Sequence, residues 1–112
     1  MAGMPNPTIL ALMAHPDDAE FLCAGALFLL ADLGCEIHVA AMAPGDCGSP
    51  DKPPEEIAAI RREEGRRAAA LYPGEFHCLE ERDLQIHYSP ATTKKACDLF
   101  RAVRPEIVTP IR

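Results

Sequence analysis

The chain alternates between short runs that are apolar without interruption and longer stretches in which apolar residues recur every three or four positions. Residues 8–14, Thr-Ile-Leu-Ala-Leu-Met-Ala, form the first short run, the pattern of a parallel strand covered on both faces. Pro16 disfavours helix at His15, so the chain leaves this strand extended. Asp17 or Asp18 can then cap the following helix by accepting the free N–H groups of its first turn. That helix is predicted over 19–33, with Gly34 as its left-handed stop. It is apolar nearly all round and is therefore expected to be deeply buried, with Ala24, Gly25 and Ala26 leaving room for close backbone contact.

The pattern then repeats. Residues 36–43 read as a second strand, and a loop rich in turn formers follows, Pro-Gly-Asp-Cys-Gly-Ser-Pro-Asp-Lys-Pro-Pro. A helix is predicted over 54–71, with Pro54 in its first turn and Glu55 and Glu56 complementing its dipole. Residues 75–79 give a weak third strand and 80–88 an irregular stretch. Ser89 is placed as an N-cap with Pro90 at the first helical position, opening a helix to 103. Residues 105–111 form a fourth strand, after which the sequence stops. Such alternation predicts a three-layer, Rossmann-like α/β fold. It is a parallel sheet with helices on both faces, forming a single domain over 1–112 that is truncated after its fourth strand. Ligands in such sheets sit beyond the C-terminal ends of the strands. His15-Pro16-Asp17-Asp18 and Pro44-Gly45-Asp46 both fall on that rim.

Composition narrows the partners. The 112 residues carry 11 Lys and Arg against 17 Asp and Glu, a net charge of −6, which argues against nucleic acid because phosphate backbones select a basic face. The cluster Arg61, Arg62, Arg66 and Arg67 is interleaved with Glu63 and Glu64. The five cysteines are odd in number and include no Cys-x-x-Cys pair, as suits reduced thiols in a cytoplasmic protein. They read as small buried apolar residues, with Cys47 in the loop the one able to meet a metal or an oxidant. The longest apolar run, 21–31, is too short to span a bilayer.

Two adjacent carboxylates beside an imidazole repel one another unless a cation joins them. Here the chain resembles the LmbE/PIG-L superfamily of zinc-dependent deacetylases, on Ala-His-Pro-Asp-Asp-Ala-Glu-Phe (14–21), on Gly-Asp-Cys-Gly-Ser (45–49), and on the Arg-rich helix. The resemblance implies hydrolysis of the N-acetyl group of an N-acetylglucosamine-type substrate, a small acylated amino sugar. It assigns His15 and Asp18 as zinc ligands and Asp17 as the general base that takes a proton from the attacking water. It raises Arg61, Glu64 and His87 as substrate-binding candidates. The resemblance covers about the first half of a typical member. A third ligand, a histidine, follows the fourth strand in that family, so these residues alone are expected to hold metal weakly and to catalyse poorly.

Blander readings stand beside these. Asp17 and Asp18 can be simple helix caps and His15 a surface histidine. Glu20 can serve the helix dipole or hold His15. Gly45 and Ser49 serve a turn or touch substrate, and His87 can be an exposed loop residue. His38 reads as a packed core residue, and His77 as bordering the rim with no nearby ligand. Glu63 and Arg67 have i,i+4 spacing. The alternatives to a deacetylase are a non-catalytic truncated remnant or a nucleotide or phospho-sugar-binding module, though no Gly-x-Gly-x-x-Gly turn follows the first strand. A sheet ending at its fourth strand is expected to leave an edge or face uncovered and to favour a homo-oligomer.

Overall fold

The computed structural model describes residues 7–15, 18–45, 51–71, 74–81, 86 and 89–110, with the side chains of 18–24 and 110 outside that description. The elements follow the predicted order: β1 (Thr8–Met13), α1 (Asp18–Asp32), β2 (Glu36–Ala41), α2 (Pro54–Ala70), β3 (Glu75–Cys78), α3 (Pro90–Val103) and β4 (Ile107–Pro110). All pairings are parallel, in the order β3-β2-β1-β4. The expected α/β sheet with helices on both faces is therefore present.

Strand β1 is central, and its uninterrupted apolar sequence follows from being covered on both sides. Ile9, Ala11 and Met13 join Ile37, Val39, Leu27 of α1 and Ala69 of α2 in one buried cluster, with Phe76 of β3 packed against it. Leu10 faces the other way and meets Ala40 and Leu99 of α3, flanked by Leu12, Leu79 and Val103. Alternation along the strand thus feeds two separate cores. The sheet grows from β1 through β2 to β3, then reverses to β4. Crossovers of one hand must put α3 opposite α1 and α2 after such a reversal, as observed.

Local signals act where expected. Gly34 takes φ 91°, the left-handed conformation that ends α1 at low steric cost. Ser89 caps α3, its Oγ accepting from the Thr92 backbone N–H at 3.1 Å. Arg67 donates to Glu63 at 3.3 Å on the solvated face of α2.

Two expectations need correction. Helix α1 is not deeply buried all round: Leu27 is enclosed, but Phe28 and Leu29 are exposed, and a Cβ added at Gly25 would meet no atom within 4 Å. Among the described side chains of α1, Leu27 reaches the sheet while Phe28 and Leu29 are turned to the surface. The cysteines are not uniformly buried either. Cys97 lies exposed on α3, and Cys35 and Cys78 are half-buried; Cys47 lies outside the described residues. At the sheet edge, Ile107 and Val108 of β4 are exposed. Among the described residues no helix is long and apolar enough to cross a membrane.

Helix α2 approaches the sheet closely at Gly65, where a Cβ would lie 2.7 Å from the Phe76 ring. Gly65→Ala gains about 1 kcal/mol of helix propensity but overpacks a site where overpacking costs about 1–3 kcal/mol. Urea denaturation should show a net loss of about 1 kcal/mol, and in a Phe76→Leu background the same change should become neutral or stabilising. Ser89→Ala, which removes only the α3 cap, should lower stability by about 1 kcal/mol in the same assay.

Candidate functional site

Strand order reverses beside β1, so the crevice between the C-terminal ends of β1 and β4 is the topological switch point where ligands of open α/β sheets bind. The connection between β1 and α1 crosses this rim and carries His15, half-buried. Pairing with β2 continues past the strand ends: Met42 N–H donates to the Met13 carbonyl at 2.8 Å, and Ala43 N–H to that of Ala14 at 3.0 Å. Ala14 thus lies beside Ala43, and the residues that follow each, His15 and Pro44, leave the sheet at the same rim. Asp18 is the first residue of α1, three positions beyond His15. Its side chain, Asp17, Ser49 and His87 lie outside the described residues, as does the side chain of Glu20.

Gly45 has φ 77°, and the Arg61 guanidinium lies 3.1–3.3 Å from where its Cβ would be. No larger residue fits this turn without displacing Arg61. The structure thus brings Arg61, half-buried, to the rim loop, whereas Glu64 is exposed on α2. Arg62 also reaches the rim. It makes a bidentate pair with Glu80 just past β3, through Nε to Oε2 at 2.9 Å and through Nη2 to Oε1. This pairing holds the Glu80 carboxyl below the usual carboxylate range. Glu80 itself sits at φ 62°, a left-handed conformation costing a non-glycine residue about 1–2 kcal/mol. Pro44, Pro54, Arg62, Glu80 and Glu81 line a pocket of about 250 Å³ there.

A second polar cluster lies toward the opposite end of the sheet. Buried His38 of β2 pairs in register with Glu75 of β3, and His77 follows Glu75 on the same face. His38 Nδ1 lies 2.9 Å from His77 Nε2 and 3.5 Å from Glu75 Oε2. His38 Nε2 meets Glu36 Oε1 at 3.0 Å, which pulls the Glu36 carboxyl below its ordinary range. Burial, together with the neighbouring His38, pushes the His77 imidazole downward. His38 also pairs with Leu10, five residues before His15, and His77 is level with Leu12 through Ala40, so the two imidazoles stand roughly 16 Å and roughly 10 Å along the strands from His15. His38 is buried as expected, but as one half of a histidine pair. His77 lies beside two potential ligands, where none was expected. The overlooked signal is a repeated Glu-x-His, at Glu36-Ile37-His38 and Glu75-Phe76-His77, which puts an acid and an imidazole on one face of each of two strands.

The chain is similar to several known proteins. Diacetylchitobiose deacetylase of Thermococcus kodakarensis is 28% identical over 103 residues, covering 89% of this chain and 39% of that protein. The 4-oxalmesaconate hydratase of Pseudomonas putida is 26% identical over 111 residues, covering 93% of this chain and 43% of that protein. Among solved structures, an N,N'-diacetylchitobiose deacetylase from Pyrococcus horikoshii, in complex with its inhibitor MPG, superposes with a TM-score of 0.85. It is 30% identical, and the match covers 91% of this chain and 39% of that one. The chain therefore spans less than half the length of these relatives. Residues 10–112 match the GlcNAc-PI de-N-acetylase family, and this chain belongs to that family, PIG-L.

Proposed function

We propose that the rim site serves a zinc-dependent deacetylase that hydrolyses the N-acetyl group of an N-acetylglucosamine-type substrate, of which these residues form one part. The observation that carries the reading is the position of His15, half-buried in the β1–α1 connection at the switch point, in a chain of this family. An imidazole followed three residues later by a carboxylate at a helix start is a donor set that suits zinc. His15 and Asp18 would hold the ion. When bound, zinc supplies a Lewis acid for the amide carbonyl and brings the pKa of a water near neutrality.

The remaining steps belong to this chain's own groups. Asp17 takes a proton from the attacking water and returns it to the departing amine, which must leave protonated. Arg61, fixed over Gly45, offers a planar cationic fork at the rim for hydroxyl or carbonyl oxygens of the sugar. Glu64 and His87 have the weaker claim to that role.

A second reading, hydration of an unsaturated carboxylic acid, is favoured by the hydratase relative. It uses the same water activation, with a carboxylate substrate that Arg61 could pair. Both readings are tested on the full-length protein by amine release from N,N'-diacetylchitobiose and by absorbance loss of an unsaturated dicarboxylate. Asp17→Asn should lower the productive kcat/KM by about 10²–10⁴-fold with zinc content unchanged, and His15→Ala should lower zinc content as well. Full activity in Asp17→Asn would remove the proton-transfer assignment. Activity on the unsaturated acid alone would favour the hydratase.

A further inference from the structure

We propose that His38, His77 and Glu75 form a second zinc site, remote from the rim, that clips edge strand β3 to β2. The inference is independent of the rim chemistry and rests on the mutual placement of the three donor atoms. Their separations are 2.9 Å between His38 Nδ1 and His77 Nε2, 3.5 Å between His38 Nδ1 and Glu75 Oε2, and 3.8 Å between His77 Nε2 and Glu75 Oε2. Ligands about 2.0–2.1 Å from a tetrahedral zinc ion stand about 3.3 Å from one another, so the observed triangle brackets one face of that coordination polyhedron. Two imidazoles and a carboxylate are also a ligand combination found at open zinc sites.

The surroundings are arranged as a ligand would need. A neutral imidazole carries one N–H. The Glu36 carboxylate, 3.0 Å from Nε2 of His38, draws that hydrogen to Nε2 and leaves Nδ1 without one, 2.9 Å from His77 Nε2 and 3.5 Å from Glu75 Oε2. Carboxylates commonly orient metal-bound histidines in this way. In the metal-free chain, the His77 Nε2–H donates to His38 Nδ1. Zinc binding shifts the His77 hydrogen to its own Nδ1, so that the ring stays neutral and its Nε2, His38 Nδ1 and the Glu75 oxygen can share the dication. His38 is 5% exposed, which weakens solvent screening of the interaction. His77 borders a shallow, open depression of about 460 Å³ with Cys78, Leu79, Glu80, Lys95, Asp98 and Leu99, so a fourth ligand can enter from solvent.

β3 is an edge strand of four residues, and binding a cation to its folded form alone must stabilise its pairing with β2. The test is zinc titration against a chromophoric chelator in protein carrying His15→Ala and Asp18→Ala, which removes the rim ligands. One equivalent of zinc should remain bound, and the melting temperature should rise with zinc concentration. Glu36→Gln, which leaves all three ligands in place, should weaken binding about 10–100-fold, and His77→Ala should remove the equivalent. Cobalt in place of zinc should give the intense visible absorption of a tetrahedral nitrogen-oxygen site. If His77→Ala does not fold by circular dichroism, Glu75→Gln replaces it at a position whose side chain is 71% exposed. If the rim-less background does not fold, one of the equivalents bound by the unsubstituted protein should vanish with Glu75→Gln. No retained zinc, or an affinity indifferent to these substitutions, would overturn the site. Loss of rim activity with this equivalent intact would touch only the deacetylase reading.

Discussion

Parallel pairing of β1 with β2 fixes the position of every group discussed above. Its register sets Leu10 against His38 and Met13 against Ala41. It runs on through Ala14 and Ala43 until the two chains part at the rim. A slip of one residue would move His38 to the opposite face and turn Ile9 and Ala11 out of their cluster, because side chains alternate across a strand. The burial of β1 on both faces makes such a slip costly. Residues Ile9, Leu10 and Ala11 are wholly inaccessible, and between them they serve both helix layers. The rim and the histidine cluster therefore depend on the same apolar core, at different heights along it.

What the sequence revealed followed the range of its signals. Strand β1, the Gly34 stop and the Ser89 cap were legible because each depends on residues within a few positions of one another. His15, Asp17 and Asp18 could be singled out as rim candidates because they are nearly contiguous. The burial of α1 was misjudged because an all-apolar helix carries no periodicity to say which face meets the sheet; Leu27, Leu30 and Ala31 pack there. The histidine pair was hidden for a different reason. His38 and His77 are 39 positions apart, and their contact exists only once β2 and β3 are adjacent in one register. The repeated Glu-x-His was visible, but its meaning required knowing that those two strands are neighbours.

Among the described residues, sulfur does not compete for zinc at the histidine cluster. Cys78 lies on β3 next to His77, but successive side chains of a strand point to opposite faces, and Cys78 hydrogen-bonds with Glu80 instead. That leaves imidazole and carboxylate as the donors there, a borderline set that suits zinc better than the softer ions favoured by sulfur.

Glu80 connects the strand end to the rim. It holds a left-handed backbone conformation that only a locally over-determined residue retains, and the bidentate Arg62 contact supplies the determination. The turn this creates lets Leu79 N–H reach the Ala41 carbonyl at 2.8 Å and Glu81 N–H that of Met42 at 2.9 Å. Backbone pairing is thus carried beyond β3, as it is beyond β1, and the rim is braced on both sides of β2. Arg61 and Arg62 divide the work: the first packs against the Gly45 turn after β2, and the second anchors the turn after β3. Consecutive residues of a helix point about 100° apart, so one turn of α2 can hold two neighbouring rim loops at once. The arginine-rich helix therefore contributes to the site first by fixing the loops that shape it, and any contact of Arg61 with substrate is built on that framework.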